Sequence, residues 1–181
     1  MRMAKKHQRG QYFSFDAIIA SVIMVIAITS LVAYWYGAQS VVDSRTGSMY
    51  DDSMRIAESL MSPGSPSDWA SLADLSNVRQ IGLADDYSIR LNKSKVERLE
   101  ALVPDFSAPP SPESNYVQVG RIMRSPAQYY IVIDDTATNG ATMLYTMGYR
   151  YPTNATQVAI AHRGAVIDGI PVRVRVFLWR Q

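Results

Sequence analysis

The chain of 181 residues has no cysteine and only two histidines. The first absence removes disulfides and thiolate metal sites, so any folded part must hold by packing. The second confines histidine-based nucleophile activation to His7 and His162, and His162 falls in a predicted strand, where a structural role is the ordinary one. Paired acids are few: Asp51-Asp52, Asp85-Asp86 and Asp134-Asp135. Adjacent residues on a strand point to opposite faces. Asp134 to Asn139 is only a loose approximation of the alternating oxygen ligands of a calcium loop, so these read as solvated turn acids. No catalytic residue, metal or cofactor is expected, and the reading is noncatalytic.

Charge is also missing in two particular places. Residues 1–10 carry Arg2, Lys5, Lys6 and Arg9 but no acid, and no residue from Ala17 to Tyr36 is charged. Of the 16 acids, 15 lie beyond Asp16, against 14 of the 18 Lys and Arg beyond Gly10, so the remainder of the chain is near neutral. The basic excess is therefore a topology signal and excludes a nucleic-acid-binding surface as its explanation.

What fills the uncharged stretch is apolar. Some 20 residues at about 1.5 Å each span roughly 30 Å, one hydrocarbon thickness. A cleavable secretory signal has an apolar core of only about 7 to 15 residues before a small-residue cleavage site. This run is longer and ends in Tyr34-Trp35-Tyr36, the aromatic pattern of a membrane interface. By the positive-inside bias the basic tail stays in the cytoplasm, which makes this a single-pass membrane protein with its C-terminal part outside the cell.

Arg9-Gly10-Gln11, followed by Ser14 and Asp16 ahead of the apolar run, resembles the class III signal peptide of archaeal type IV pilin-like proteins. Members of that family commonly read Gln-x-Ser-x-Glu; this chain is one residue longer between Gln11 and Ser14 and has Asp for Glu. The resemblance implies cleavage between Gly10 and Gln11 by a membrane-embedded prepilin peptidase. It also implies delivery to the pilus assembly machinery and packing against copies of itself or related pilin subunits. Asp16 has two compatible readings. The resemblance makes it a partner for the amino group of a neighbouring subunit. Its position in the first turn of a helix capped by Ser14 contributes roughly 0.3 to 1 kcal/mol against the helix dipole. Ala20, Ser21, Ala27 and Ser30 are the candidates for close helix–helix contact. Farther on, Pro63-Gly64-Ser65-Pro66, Trp69 and Gly82-Leu83-Ala84 add to the same resemblance.

Val42, Met49, Ile56 and Leu60 recur at sevens and fours beside Ala57, with Asp43, Arg45, Asp51 and Glu58 elsewhere, which predicts an amphipathic continuation of the helix. The helix is expected from Ser14 to about Met61, roughly 70 Å long, with a bend near Gly37 or Gly47 and a stop at Pro63. Beyond it, the expected elements are a short strand at Tyr87 to Leu91 and a helix opened by a Ser94/Glu97 capping box and closed by Pro104. Ser107 to Asn115, with Pro109, Pro110 and Pro112, reads as an extended exposed loop. Tyr129 to Ile133 then turns at Asn139-Gly140 into Ala141 to Tyr149. Val158 to Ile167 turns at Asp168-Gly169 into Ile170 to Trp179, with Val172, Val174, Val176 and Leu178 on one face and Arg173 and Arg175 on the other.

The expected organisation is a leader (1–10), a transmembrane or filament-core helix (11–36), a helical stem (37–62) and one α+β head (63–181) whose sheet is mainly antiparallel. Asn92-Lys93-Ser94 and Asn154-Ala155-Thr156 are glycosylation acceptor triplets; Asn92 is also placed to cap a helix, which favours Asn154. The function expected is a structural subunit of an archaeal type IV pilus-like surface filament. The alternative is an uncleaved single-pass protein whose outer head binds a ligand or partner.

Overall fold

The computed structural model describes the backbone of residues 8–138 and 140–181, and the side chains of all of these except 8–14 and 42–46. The basic residues Arg2, Lys5 and Lys6, the side chains of Arg9, Gln11, Ser14, Val42, Asp43 and Arg45, and Asn139 therefore lie outside the described residues. The chain divides into two units, Met1–Arg45 and Thr46–Gln181.

The first unit consists of helix α1, which spans Gln8–Leu60 and so runs on into the second unit. Its start lies six residues before the expected Ser14, and the helical assignment continues through Gly37 and Gly47. A Cβ at either glycine would meet nothing within 4 Å.

In the second unit the last turns of α1 are part of the head's own core. Met49, Ile56, Ala57 and Leu60 are at most 1 % exposed, as the apolar stripe predicts, while Asp51 and Glu58 face outward. Helices α2 (Lys93–Leu102) and α3 (Asn115–Ile122) and strands β1 (Asp105–Phe106), β2 (Gln128–Asp135), β3 (Met143–Tyr149), β4 (Gln157–Ile167) and β5 (Ile170–Arg180) complete the unit. The sheet order is β1-β3-β2-β5-β4, with every neighbouring pair antiparallel except β1 and β3. The sheet is thus mixed, though mostly antiparallel. One face, carrying Ile131, Ile133, Val172, Val174, Val176 and Leu178, joins the helices in a single core.

Four local expectations are corrected. Tyr87 to Leu91 is not a strand: only Arg90 and Leu91 form isolated bridges, and Ile89 and Leu91 exchange backbone hydrogen bonds with Val166 alone. Asn92, not Ser94, caps α2, its Oδ1 accepting from the Lys95 N–H at 3.3 Å. The β2–β3 connection is not a tight two-residue turn. It contains a 3₁₀ turn at Thr136–Thr138, folded back because the Asp135 carboxylate accepts from the Ala137 N–H. Helix α3 follows directly on the proline-rich loop and buries Tyr116 and Val119. In contrast, the Asp168-Gly169 turn forms as expected, with φ of 51° and 83°, the left-handed pair that a two-residue hairpin turn requires.

Tyr116 and Tyr129 lock α3 to β2. Their rings stack at 4.3 Å, the Tyr129 hydroxyl donates to the Tyr116 carbonyl, and the Tyr129 N–H donates to the Tyr116 hydroxyl. Burial pushes both phenols well above their ordinary value of 10.0. A raised folded-state pKa means that the associated stability is complete below pH 10 and declines as the unfolded chain ionises above it. Raising the pH from 10 to 11 is expected to lower the stability by about 2 kcal/mol, half of it from each tyrosine. Urea midpoints across that range measure it, and Tyr129→Phe should remove about 1 kcal/mol of the loss.

Candidate functional site

The feature that sets this chain apart is the stretch Phe15–Val41 of α1, 27 residues long and apolar enough to cross a membrane. Every side chain in it is exposed. A core helix of comparable composition would be covered by its own protein; this one has no cover. Eleven aliphatic side chains from Ile18 to Val41 stand open, among them Leu31 at 67 % and Met24 at 64 %. Leaving that set in water would cost on the order of 20 kcal/mol, more than the roughly 5 to 15 kcal/mol by which a domain is stable.

Three of the segment's hydroxyls, those of Ser21, Thr29 and Ser40, are satisfied within the helix. Ser21 Oγ donates to the Ala17 carbonyl at 2.7 Å and Thr29 Oγ1 to the Val25 carbonyl at 2.9 Å, so neither needs water. Asp16 is exposed near the start of the segment, and Tyr34, Trp35 and Tyr36 are exposed towards its end. At about 100° per residue, Ala20 and Ala27 align within about 20°, while Ser21 and Ser30 fall about 100° and 80° to either side. Ile23, Met24 and Leu31 project between them. The four small residues therefore do not make one continuous groove, and a neighbouring helix on that side would interdigitate with larger side chains. The backbone at Arg9, Gly10 and Gln11 is helical.

A second feature, missed by the sequence reading, lies on the sheet face away from the main core. Asp134 is fully buried, not a solvated turn acid. Arg173, directly opposite in the β2–β5 register, reaches its Oδ2 at 2.6 Å through Nη2, and Arg175 Nε donates to Oδ1 at 2.8 Å. Gly140, at φ +84°, folds over the group so closely that a Cβ there would sit 2.5 Å from Arg173 Nη2. Tyr130, Val132 and Phe177 form a small apolar cluster on the same face, with Tyr151 stacked on Phe177. His162 is exposed alongside, opposite Arg175 in the β4–β5 register.

No protein-family model, curated protein or solved structure matches this chain. A cleft of about 700 Å³ is lined by Pro109, Pro110, Pro112, Tyr116, Tyr149 and Trp179 with Arg180 at its rim. Two polar groups of its wall are committed: the Tyr116 hydroxyl donates to Gln128 Oε1 at 2.7 Å and Trp179 Nε1 to the Tyr149 carbonyl at 3.0 Å. Among the described residues no group of three or more His, Asp and Glu is placed to hold a metal ion. The described residues 134–138 do not gather into a cation loop, since Asp134 is committed to two arginines and Asp135 to the Ala137 N–H.

The segment after α1 owes its composition to packing. Trp69 is 1 % exposed and its Nε1 donates to the Gly82 carbonyl at 2.7 Å. Residues 79–84 return alongside the end of α1, where the Leu83 N–H satisfies the Leu60 carbonyl and the Ala84 N–H the Ser62 carbonyl. Buried Lys95 donates to the Pro63 and Ala84 carbonyls from the other side.

Proposed function

We propose that this chain is a pilin-like structural subunit of an archaeal type IV pilus-like surface filament, held in the membrane by α1 before assembly. The observation that carries the reading is the uncovered 27-residue apolar helix Phe15–Val41, joined in sequence to a head with its own core. Lipid covers such a helix in a monomer. Copies of the same helix cover it in a filament, and a thick apolar bundle with heads outside is the economical way to bury it without lipid. The leader-like order Arg9-Gly10-Gln11, Ser14 and Asp16 supports processing by a prepilin peptidase between Gly10 and Gln11, and the basic tail supports a cytoplasmic N-terminus.

N-terminal sequencing and intact mass of native membrane material test this. The expected mature chain starts at Gln11, and Gly10→Leu should leave Met1 in place and abolish filaments seen by electron microscopy. An unprocessed wild-type chain that stays monomeric in mild detergent would overturn the filament reading in favour of a single-pass protein with a binding head.

A further inference from the structure

We propose that Asn154 is an acceptor for an N-linked glycan and that Asn92, in the same kind of triplet, is not. The inference rests on the outward placement of the head in the reading above.

The acceptor chemistry needs a free carboxamide. Asn154 Nδ2 would attack the anomeric carbon of an oligosaccharide carried on a lipid phosphate. The C1–N bond forms as the C1–O bond to phosphate breaks, the lipid phosphate leaves with the electron pair, and the amide proton passes to a base of the transferase. Nothing is oxidised or reduced. The transferase must reach Nδ2 from outside and engage the hydroxyl two residues on.

The loop from Arg150 to Thr156, between β3 and β4, supplies this. Asn154 is exposed at the tip of a turn closed by the Ala155 N–H on the Pro152 carbonyl at 3.1 Å, and its side chain makes no hydrogen bond. Thr156 is exposed too. Its N–H and its hydroxyl both bond the Arg180 carbonyl, at 3.0 and 3.2 Å, which tethers the base of the loop to β5 while leaving the tip clear. The hydroxyl's bond is at the surface and is exchangeable for one to the transferase.

Asn92 is the opposite case. It is half-buried, its Nδ2 donates to Asp85 Oδ1 at 2.7 Å, and its Oδ1 caps α2. Both ends of the amide are in use, and attack by Nδ2 would require opening the cap and the bond that ties residues 85 and 92 together. Two triplets that look alike in sequence thus differ in what the fold has already done with their amides.

The full chain is produced in cells that carry a membrane oligosaccharyltransferase and its lipid-linked oligosaccharide, with a tag after Gln181. Intact mass of membrane material is compared for the wild type, Asn154→Gln, Thr156→Ser and Ser94→Ala; the last removes the second triplet without touching the Asn92 cap. One discrete glycan mass is expected on the wild type, unchanged in Ser94→Ala, retained in Thr156→Ser and lost entirely in Asn154→Gln, with the urea midpoint of the unglycosylated variant unchanged within error. Protease added to intact cells reports the topology in the same samples. A tag accessible to protease on a chain that carries no glycan, or one lost through Ser94→Ala, overturns the assignment to Asn154 while leaving the surface reading intact. A shielded tag overturns both.

Discussion

Asp134→Ala is expected to cost about 3 to 5 kcal/mol, because it leaves Arg173 and Arg175 facing each other beneath the Gly140 loop with no counter-charge. Against a domain stability of roughly 5 to 15 kcal/mol, that is enough to leave a sizeable fraction of heads unfolded at ambient temperature. Urea unfolding of the detergent-solubilised full chain, followed by near-ultraviolet circular dichroism, measures it. The cost belongs to the broken group and not to the absence of charge as such. Replacing all three members together, for instance Asp134→Leu with Arg173→Met and Arg175→Met, should recover most of the loss, since a buried ion group and a well-packed apolar one of similar volume are often equivalent. A single Asp134→Ala that costs less than 1 kcal/mol would show that the carboxylate does not hold the two guanidinium groups.

The second large effect is expected where the chain returns to the end of α1. A Cβ on Gly82 would lie 2.0 Å from the Ser62 carbonyl oxygen and 2.4 Å from the Gly64 N, both backbone atoms. The Ser62 carbonyl cannot move without breaking its bond from the Ala84 N–H, nor the Gly64 N without breaking its bond to Ser62 Oγ. Gly82→Ala should therefore cost at least as much as Trp69→Ala, which loses about 3 to 5 kcal/mol by truncation alone and strands the Gly82 carbonyl as well. Gly47→Ala is the internal comparison. There the added methyl meets nothing, and a helical alanine in place of glycine should raise stability by about 0.5 to 1 kcal/mol. Opposite signs for one chemical change at two glycines, read from the same urea experiment, would locate the constraint in the 60–84 turn. A tolerated Gly82→Ala would remove it.

That turn also bears on how the segment Pro63 to Ala84 is understood. Its sequence contains a Pro-Gly-x-Pro step, a Trp and a Gly-Leu-Ala step. In the fold they have a local cause: Gly64 takes φ +85° and leaves room for Trp69 Cδ1, Gly82 lets two backbones touch, and Trp69 plugs the gap between them.

Elements whose cause is local were legible from composition and spacing. The Val158–Trp179 hairpin announced itself by strict alternation on its returning strand and by Asp168-Gly169, since period and turn chemistry act over neighbouring residues. The stripe Met49, Ile56, Ala57 and Leu60 was legible for the same reason. Helix α3 was not, because three prolines just before it drew attention to the loop; the spacing of Tyr116, Val119 and Met123 was the signal available. The strand expected at Tyr87 to Leu91 had suitable residues but lies against the edge of β4, where only Arg90 pairs, with Val166, while Leu91 pairs with Ala84. Asp134 beside Asp135 looked like a turn, and nothing nearby in the chain discloses partners 39 and 41 residues away.

By itself, then, the amino-acid sequence determined that an uncharged apolar run from Ala17 to Tyr36 would form part of a long helix, that an α+β unit would follow, and that stability would come without disulfides. Those are consequences of composition and of periods only a few residues long. Tertiary structure alone decided which acid would be buried, that β5 would lie between β2 and β4, that β1 would pair parallel with β3, and that the Asn92 amide would be held by Asp85. Each of these depends on groups far apart in the chain meeting at hydrogen-bond distance, and that is set by the packing of the whole core and not by any stretch of residues within it.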